Sequence, residues 1–165
     1  MLTDTLCTHC GLCCDGTLLG DVELSGPAEA ARLEVLGLKV DTDDADAELL
    51  ALPCAGLRAT RCTVYAHRPQ CCRTFECRLL QEAQRGALTV DEALARIATA
   101  KGRIRQVETL LARIEARPVQ LPLAERVADA VATGSRVSTT AVRRLHALEV
   151  ASDALTRTLR ATFLD

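Results

Sequence analysis

Apolar positions change their rhythm about halfway along the chain. From Val90 onward they recur every three or four residues: Val90, Leu94, Ile97, Ile104, Val107, Leu111 and Ile114 form one stripe, and Val142, Leu145, Leu148, Leu155 and Leu159 form another. That period marks helices that bury one face. Thr89 with Glu92 three residues on predicts a capping box, opening a helix that runs to Arg117. Pro118 and Pro122 bracket a linker, a short helix follows over Leu123–Thr133, and Gly134 ends it. Ser138 or Thr139 then caps the last helix. Two long amphipathic helices with a short one between them predict an antiparallel hairpin or small bundle. The same stripes suit a second copy of the chain, which makes a homodimer through the C-terminal helices the alternative.

The first half has no such period. Residues 1–16 read as a loop eased by Gly11 and Gly16, and within Leu18–Leu24 the alternation of Val22 and Leu24 with Asp21 and Glu23 predicts a short strand. Ser25 is positioned to cap a helix with Pro27 in its first turn and Gly37 just past its end. The acidic run of Asp41, Asp43, Asp44, Asp46 and Glu48 lacks the glycine and terminal glutamate of a calcium loop and reads as a solvated loop. Leu49–Tyr65 reads as irregular, with extended pieces around Cys54 and Cys62, and Pro69 breaks it. A helix starting near Thr74 carries Phe75, Leu79, Leu80 and Ala83 before Gly86. The expected architecture is mostly α: a small, irregular, cysteine-rich metal-binding N-terminal half with short strands (residues 1–86), plus the helical hairpin or bundle (residues 87–165).

Composition sharpens this. The 165 residues include nine cysteines, and none lies beyond Cys77. Aromatics are confined to Tyr65, Phe75 and Phe163, so the core must be aliphatic. The net charge of −2 gives no basic field for nucleic acid. No run of about 18 apolar residues is present to span a membrane. The N-terminus has neither the basic nor the apolar region of a secretory signal. These features favour a cytoplasmic protein with reduced thiols, in which a metal explains nine cysteines better than a disulfide framework does.

The thiols are also arranged for a metal. CTHCGLCC places Cys7, Cys10, Cys13 and Cys14 in a Cys-x2-Cys-x2-Cys-Cys array, a chelating pattern suited to a soft metal or an iron–sulfur cluster. Cys54, Cys62, Cys71, Cys72 and Cys77 form a second block. Between Cys54 and Arg78 the chain sets Arg58, Arg61, Arg68, Arg73 and Arg78 against one carboxylate, Glu76, as balancing an anionic thiolate centre would require. Tyr65 and Phe75 are placed to keep water from it. His9 and His67 read as hydrogen-bonding or exposed groups near the site and His146 as a helix-face residue.

CTHCGLCC, the VELS segment before a helix, Pro53-Cys54, Cys62 with Tyr65, and RPQCCRTFEC over Arg68–Cys77 together resemble the CxxCxxCC family, the zinc- or iron-chelating domain of YkgJ-like cysteine-cluster proteins. The resemblance covers roughly the first 80 residues. In the last block Cys72, Arg73, Phe75 and Cys77 match the family pattern, and Cys71 is the extra residue. Carried over by position, the resemblance implies metal ligands among Cys7, Cys10, Cys13, Cys14, Cys54, Cys62, Cys72 and Cys77, with Tyr65, Arg68, Arg73 and Phe75 around them. The expected metal is a [4Fe–4S] cluster or other iron centre, with zinc as the alternative.

Two functions compete with a metal-holding or redox module that serves a protein partner. One is a structural zinc domain for protein interaction. The other, by analogy with flagellin lysine methylase relatives, is an enzyme using a cluster and S-adenosylmethionine. Against the enzyme, the chain is short, has no glycine-rich nucleotide loop, and spaces its thiols Cys-x2-Cys-x2-Cys rather than Cys-x3-Cys-x2-Cys.

Overall fold

Leu24, Leu33, Leu38 and Leu50 cannot stay in water, and burying them together with Ala30 builds the core of the N-terminal half. A computed structural model of the chain describes residues 2–43, 45–114, 121–134 and 138–164. These residues form two units, Thr3–Glu76 and Cys77–Asp165.

The first unit opens with a helix, α1 (Leu2–Cys10), where a loop is expected. Local bonds explain it: Thr8 Oγ1 donates to the Asp4 carbonyl, His9 Nδ1 to that of Thr5 (2.6 Å), and Leu6 is buried. The helix stops at Gly11, whose φ of +78° disfavours a side chain, and whose absent Cβ would lie 3.3 Å from Thr60. Strand β1 (Asp21–Glu23) follows with the predicted alternation, Val22 half-buried between exposed Asp21 and Glu23.

Helix α2 (Pro27–Val35) has Pro27 at its start, and Gly37 adopts a positive φ beyond its end, both as expected. Ser25 is not its cap. Gly26 holds that position without a side-chain bond, and the Ser25 N–H instead donates to Glu29 Oε2 at 2.9 Å. The acidic run is not simply a loop either. It is the end of a hairpin between β2 (Val40–Thr42) and β3 (Glu48–Ala51), turned by Asp43 Oδ1 accepting from the Ala45 and Ala47 N–H groups. Asp44 lies outside the described residues. Strand β3 is central in the antiparallel order β1-β3-β2, with Leu50 opposite both Val22 and Val40, and α2 packs on β3 and β2.

After this sheet, β4 (Leu57–Arg58) and β5 (Arg61–Cys62) form a two-stranded ribbon, and a 3-10 turn covers Tyr65–His67. A single helix from Thr74 is not formed. Pro69 instead starts a short α3 (Gln70–Thr74), Phe75–Cys77 are extended or irregular, and a separate α4 (Arg78–Gln84) carries buried Leu79, Leu80 and Ala83. Phe75 therefore ends a helix and is 40% exposed.

In the second unit α4 packs with α5 (Val90–Ala112), α6 (Leu123–Thr133) and α7 (Thr139–Phe163) as a small bundle. The Thr89–Glu92 capping box is formed in both directions, and Ser138 caps α7 by accepting from Ala141 N–H. Leu110 and Arg113 lie beside Thr140 and Arg144, so the end of α5 meets the start of α7 and the two run antiparallel. Ile97, Ile104, Val107 and Leu111 on α5 and Leu145, Leu148, Leu155 and Leu159 on α7 are buried, as their spacing predicts. Val90 and Val142 are exposed edges of those stripes, while Ala93 and Ala100, fully buried, allow close helix approach. Helix α5 ends at Ala112 with Arg113 as its cap; the expected continuation to Arg117 and Pro118 lie outside the described residues. No helix among the described residues is long and apolar enough to cross a membrane.

Leu148 is fully buried between these helices while neighbouring Val150 is 53% exposed. Leu148→Ala is expected to destabilise the second unit by about 2–5 kcal/mol and Val150→Ala by less than about 0.5 kcal/mol. Urea denaturation followed by helical circular dichroism checks the difference.

Candidate metal centre

Helical spacing puts Cys7 and Cys10 three residues apart on one side of α1. Directly after them, Cys14 N–H and Asp15 N–H both bond to the Gly11 carbonyl, at 3.0 and 3.1 Å, turning the backbone so that Cys13 and Cys14 follow in a tight coil. Asp15 Oδ1 holds this coil by accepting from Thr17 N–H at 2.9 Å.

Two bonds fasten the coil to the ribbon segment. Cys54 N–H donates to the Cys14 carbonyl at 2.8 Å, and Thr60 Oγ1 donates to the Thr8 carbonyl. Thr60 also occupies the space that a side chain at Gly11 would need. Cys54 thus arrives beside Cys14, and Cys62 reaches the same region across the β4–β5 pairing of Leu57 with Cys62. Gly56 lets this turn close: a Cβ there would lie 3.2 Å from both Leu38 and Val64, and 3.6 Å from Cys54 Sγ.

Helix α3 carries the adjacent pair Cys71 and Cys72, and both pack with Cys54 against the Leu33–Leu50 core. Glu29 pins this helix by accepting from Gln70 N–H (3.0 Å) as well as from Ser25. Burial pushes the Glu29 carboxyl up, but those N–H groups and Arg32 outweigh it and hold it below the usual carboxylate range.

The thiols report their own proximity. Burial first, then the charges of Cys54, Cys62, Asp15 and Cys7, push the Cys14 thiol from 9.0 to about 11. Burial likewise raises Cys72, with Cys71, Cys14 and Cys54 adding to it. Cys54 is raised by burial, assisted by Cys62 and opposed by the Gly56 and Leu57 N–H groups. Cys71 is raised by burial although a hydrogen bond with the Cys72 thiol opposes this. Cys14 thus has Cys7, Cys54 and Cys62 among its charged neighbours, and Cys72 has Cys71, Cys14 and Cys54, which brings α1, the coil, the ribbon and α3 to one region. Cys10 and Cys13 are half-buried members of the same first block. Cys77 belongs to the second unit, where it caps α4 and its carbonyl accepts from Gln81 N–H. All nine cysteines are thiols. Among the described residues, no group of three or more Cys, His, Asp or Glu side chains stands close enough together to hold a metal ion.

The arginines are employed differently from the sequence expectation. Arg58 donates to the carbonyls of Ala55 and Leu57, and Arg73 to those of Arg68 and Ala66. Arg78 belongs to the second unit, where it donates to the carbonyls of Arg160 and Ala161 at the end of α7. They brace backbone rather than meet sulfur. Arg68 differs. Its guanidinium stacks 3.8 Å over Tyr65 and donates to the Cys72 carbonyl (3.3 Å), while its Nε is buried with no partner among the described residues. A buried orphan donor costs about 1–3 kcal/mol unless an acceptor comes within reach. Tyr65 and Phe75, at 50% and 40% exposed, are not the water-excluding rings that the sequence suggests. His9 and His67 are exposed.

The sequence pointed to the sulfurs but not to Thr60, Thr8 or Glu29, which position them. No local pattern marks those residues, because each acts through a backbone group distant in the chain.

Clustered, half-buried thiols with soft sulfur donors and few competing oxygen ligands are the mark of a metal-chelating cysteine-cluster domain. A comparison with known families gives the same class. Residues 6–95, more than half of the chain, match the CxxCxxCC family model, described as “Putative zinc- or iron-chelating domain”, and the chain belongs to that family. No curated protein and no solved structure matches it.

Two outcomes follow. The folded state holds the Cys14 proton more tightly than an unfolded chain does, so metal-free protein keeps this contribution below pH 9 and loses it as pH rises toward about 11. Thermal melts of reduced, metal-free protein are expected to fall across that window. Gly11→Ala, which forces a side chain into a positive φ and against Thr60, is expected to destabilise the first unit by about 1–2 kcal/mol in the same assay.

Proposed function

We propose that the first unit carries an iron–sulfur centre, a [4Fe–4S] cluster, held by four of the thiols Cys7, Cys10, Cys13, Cys14, Cys54, Cys62 and Cys72. The protein then serves as a metal-holding or redox module for a protein partner and not as an enzyme. The observation carrying this reading is that Cys54, bonded through its N–H to the Cys14 carbonyl, and Cys72 pack on the same core, so that thiols from segments far apart in sequence gather in one unit. When bound, such a cluster supplies one-electron chemistry.

The chain's own residues do the rest. Raised pKa values keep the Cys14, Cys54 and Cys72 thiols neutral until a metal displaces their protons, so uptake releases protons and strengthens with rising pH. Because no three donors among the described residues stand close enough to hold a metal ion, binding on this reading requires a shift of the α1 coil and the ribbon that brings the thiols together. The hydrogen bonds from Cys54 to Cys14 and from Thr60 to Thr8 limit how far those segments move. Half-buried Arg68 supplies a positive charge and a buried, unused Nε–H near the Cys72 backbone to offset the negative charge of the bound thiolates.

Zinc on the same thiols is the second reading, and it is favoured by the family's description as a zinc- or iron-chelating domain. Tetrahedral thiolate zinc needs no redox chemistry and would make the unit a structural support for protein interaction.

Purification without oxygen separates the two. A brown protein with visible sulfur-to-iron absorption and bound iron and sulfide is expected; a colourless protein with stoichiometric zinc selects the second reading. Loss of both metals after anaerobic reconstitution contradicts both. Cys14→Ser and Cys54→Ser are each expected to remove most of the metal and to lower the melting temperature of the first unit. Cys71→Ser is expected to retain the metal.

A further inference from the structure

The helical unit carries a second chemical feature, lying beyond the residues matched to the family. Where the end of α5 meets the start of α7 the surface has a shallow, open depression, and a second one along α5 shares Leu110 and Arg113 with it. Arg113, Arg143 and Arg144 line the first, and Arg105 lines the second. Arg144 is committed, donating to the Arg113 carbonyl at 3.3 Å and so satisfying the end of α5. No carboxylate among the described residues pairs with Arg105, Arg113 or Arg143.

This accumulation is unusual in a chain of net charge −2. Guanidinium groups held on one groove repel each other, and the first turn of α7 has no acidic residue to meet the positive end of the helix.

We propose that this groove binds a small phosphate-bearing molecule with more than one phosphate, its phosphoryl oxygens held by Arg105, Arg113 and Arg143. Guanidinium forks match phosphate oxygens in pairs. Leu110 and Ala147 offer apolar surface for the organic part. The two depressions suit two phosphates on either side of Arg113.

Pyrophosphate is the probe, titrated calorimetrically into full-length, metal-loaded protein at low salt. One site is expected, weakened at least about tenfold in the Arg113→Gln/Arg143→Gln variant and under about twofold in Arg32→Gln, an exposed arginine of the first unit. Malonate, a dicarboxylate, is expected to bind at least about tenfold more weakly than pyrophosphate. Should the double variant lose helicity, Arg143→Lys keeps the charge without the fork and is expected to weaken binding about threefold or more. Absence of binding to wild-type protein overturns the proposal. So does an unchanged affinity in the folded arginine variant, an equal loss in Arg32→Gln, or malonate binding as tightly as pyrophosphate. Since Cys14→Ser removes metal but not this groove, binding retained in that variant separates the groove from the thiol centre.

Discussion

A single thiol is easily buried, but several thiolates in one half-buried space repel one another and lose their water. Cys14, Cys54 and Cys72 show both penalties, with burial the larger and neighbouring sulfurs adding to it. The first unit is constructed around that constraint. Its aliphatic core, with Leu33 and Leu50 fully buried, holds α3 and the Cys54 turn in place. Protons relieve the repulsion in the absence of metal; a metal ion relieves it more completely, by neutralising the thiolates directly.

Backbone bonds give this arrangement its specificity. Cys54 reaches Cys14 through its own N–H, Thr60 reaches Thr8, and Glu29 ties α2 to the start of α3. Each bond joins segments about forty or more residues apart, so the site belongs to the folded unit and not to the CTHCGLCC segment alone. Arginines contribute mainly by bracing carbonyl groups in the loops around the sulfurs. Arg68 stands apart because one of its buried N–H groups remains available.

How much could be seen in the sequence differed between the two halves. The bundle was legible because the packing rule acts locally and repeats: Leu145, Leu148, Leu155 and Leu159 fall on one face, Thr89 and Glu92 form a cap within one turn, and Leu123–Thr133 is bounded by Pro122 and Gly134. Gly134 matters there for space, since a Cβ would fall 2.6 Å from Leu145 Cδ2. In the first half, local signals met competing ones. Glycines around the first cysteines suggested a loop, but Thr8 and His9 bonds support a helix up to Gly11. Ser25 had the chemistry of a cap, yet its N–H went to Glu29. Phe75 looked like the start of a core helix because its neighbours Leu79, Leu80 and Ala83 follow helical spacing; the helix begins three residues later and leaves the ring exposed. The sulfur types and spacings were visible, whereas the groups that position them were not, because hydrogen bonds between distant backbone and side chains leave no periodic trace.

The central claim is that sulfur atoms from separate segments share one inorganic centre. X-ray absorption at the metal edge of anaerobically prepared protein measures this most directly. The account predicts a first shell dominated by sulfur at about 2.3 Å, reduced in Cys54→Ser as well as in Cys14→Ser. A first shell of oxygen and nitrogen, or a sulfur shell unchanged by Cys54→Ser, would contradict it.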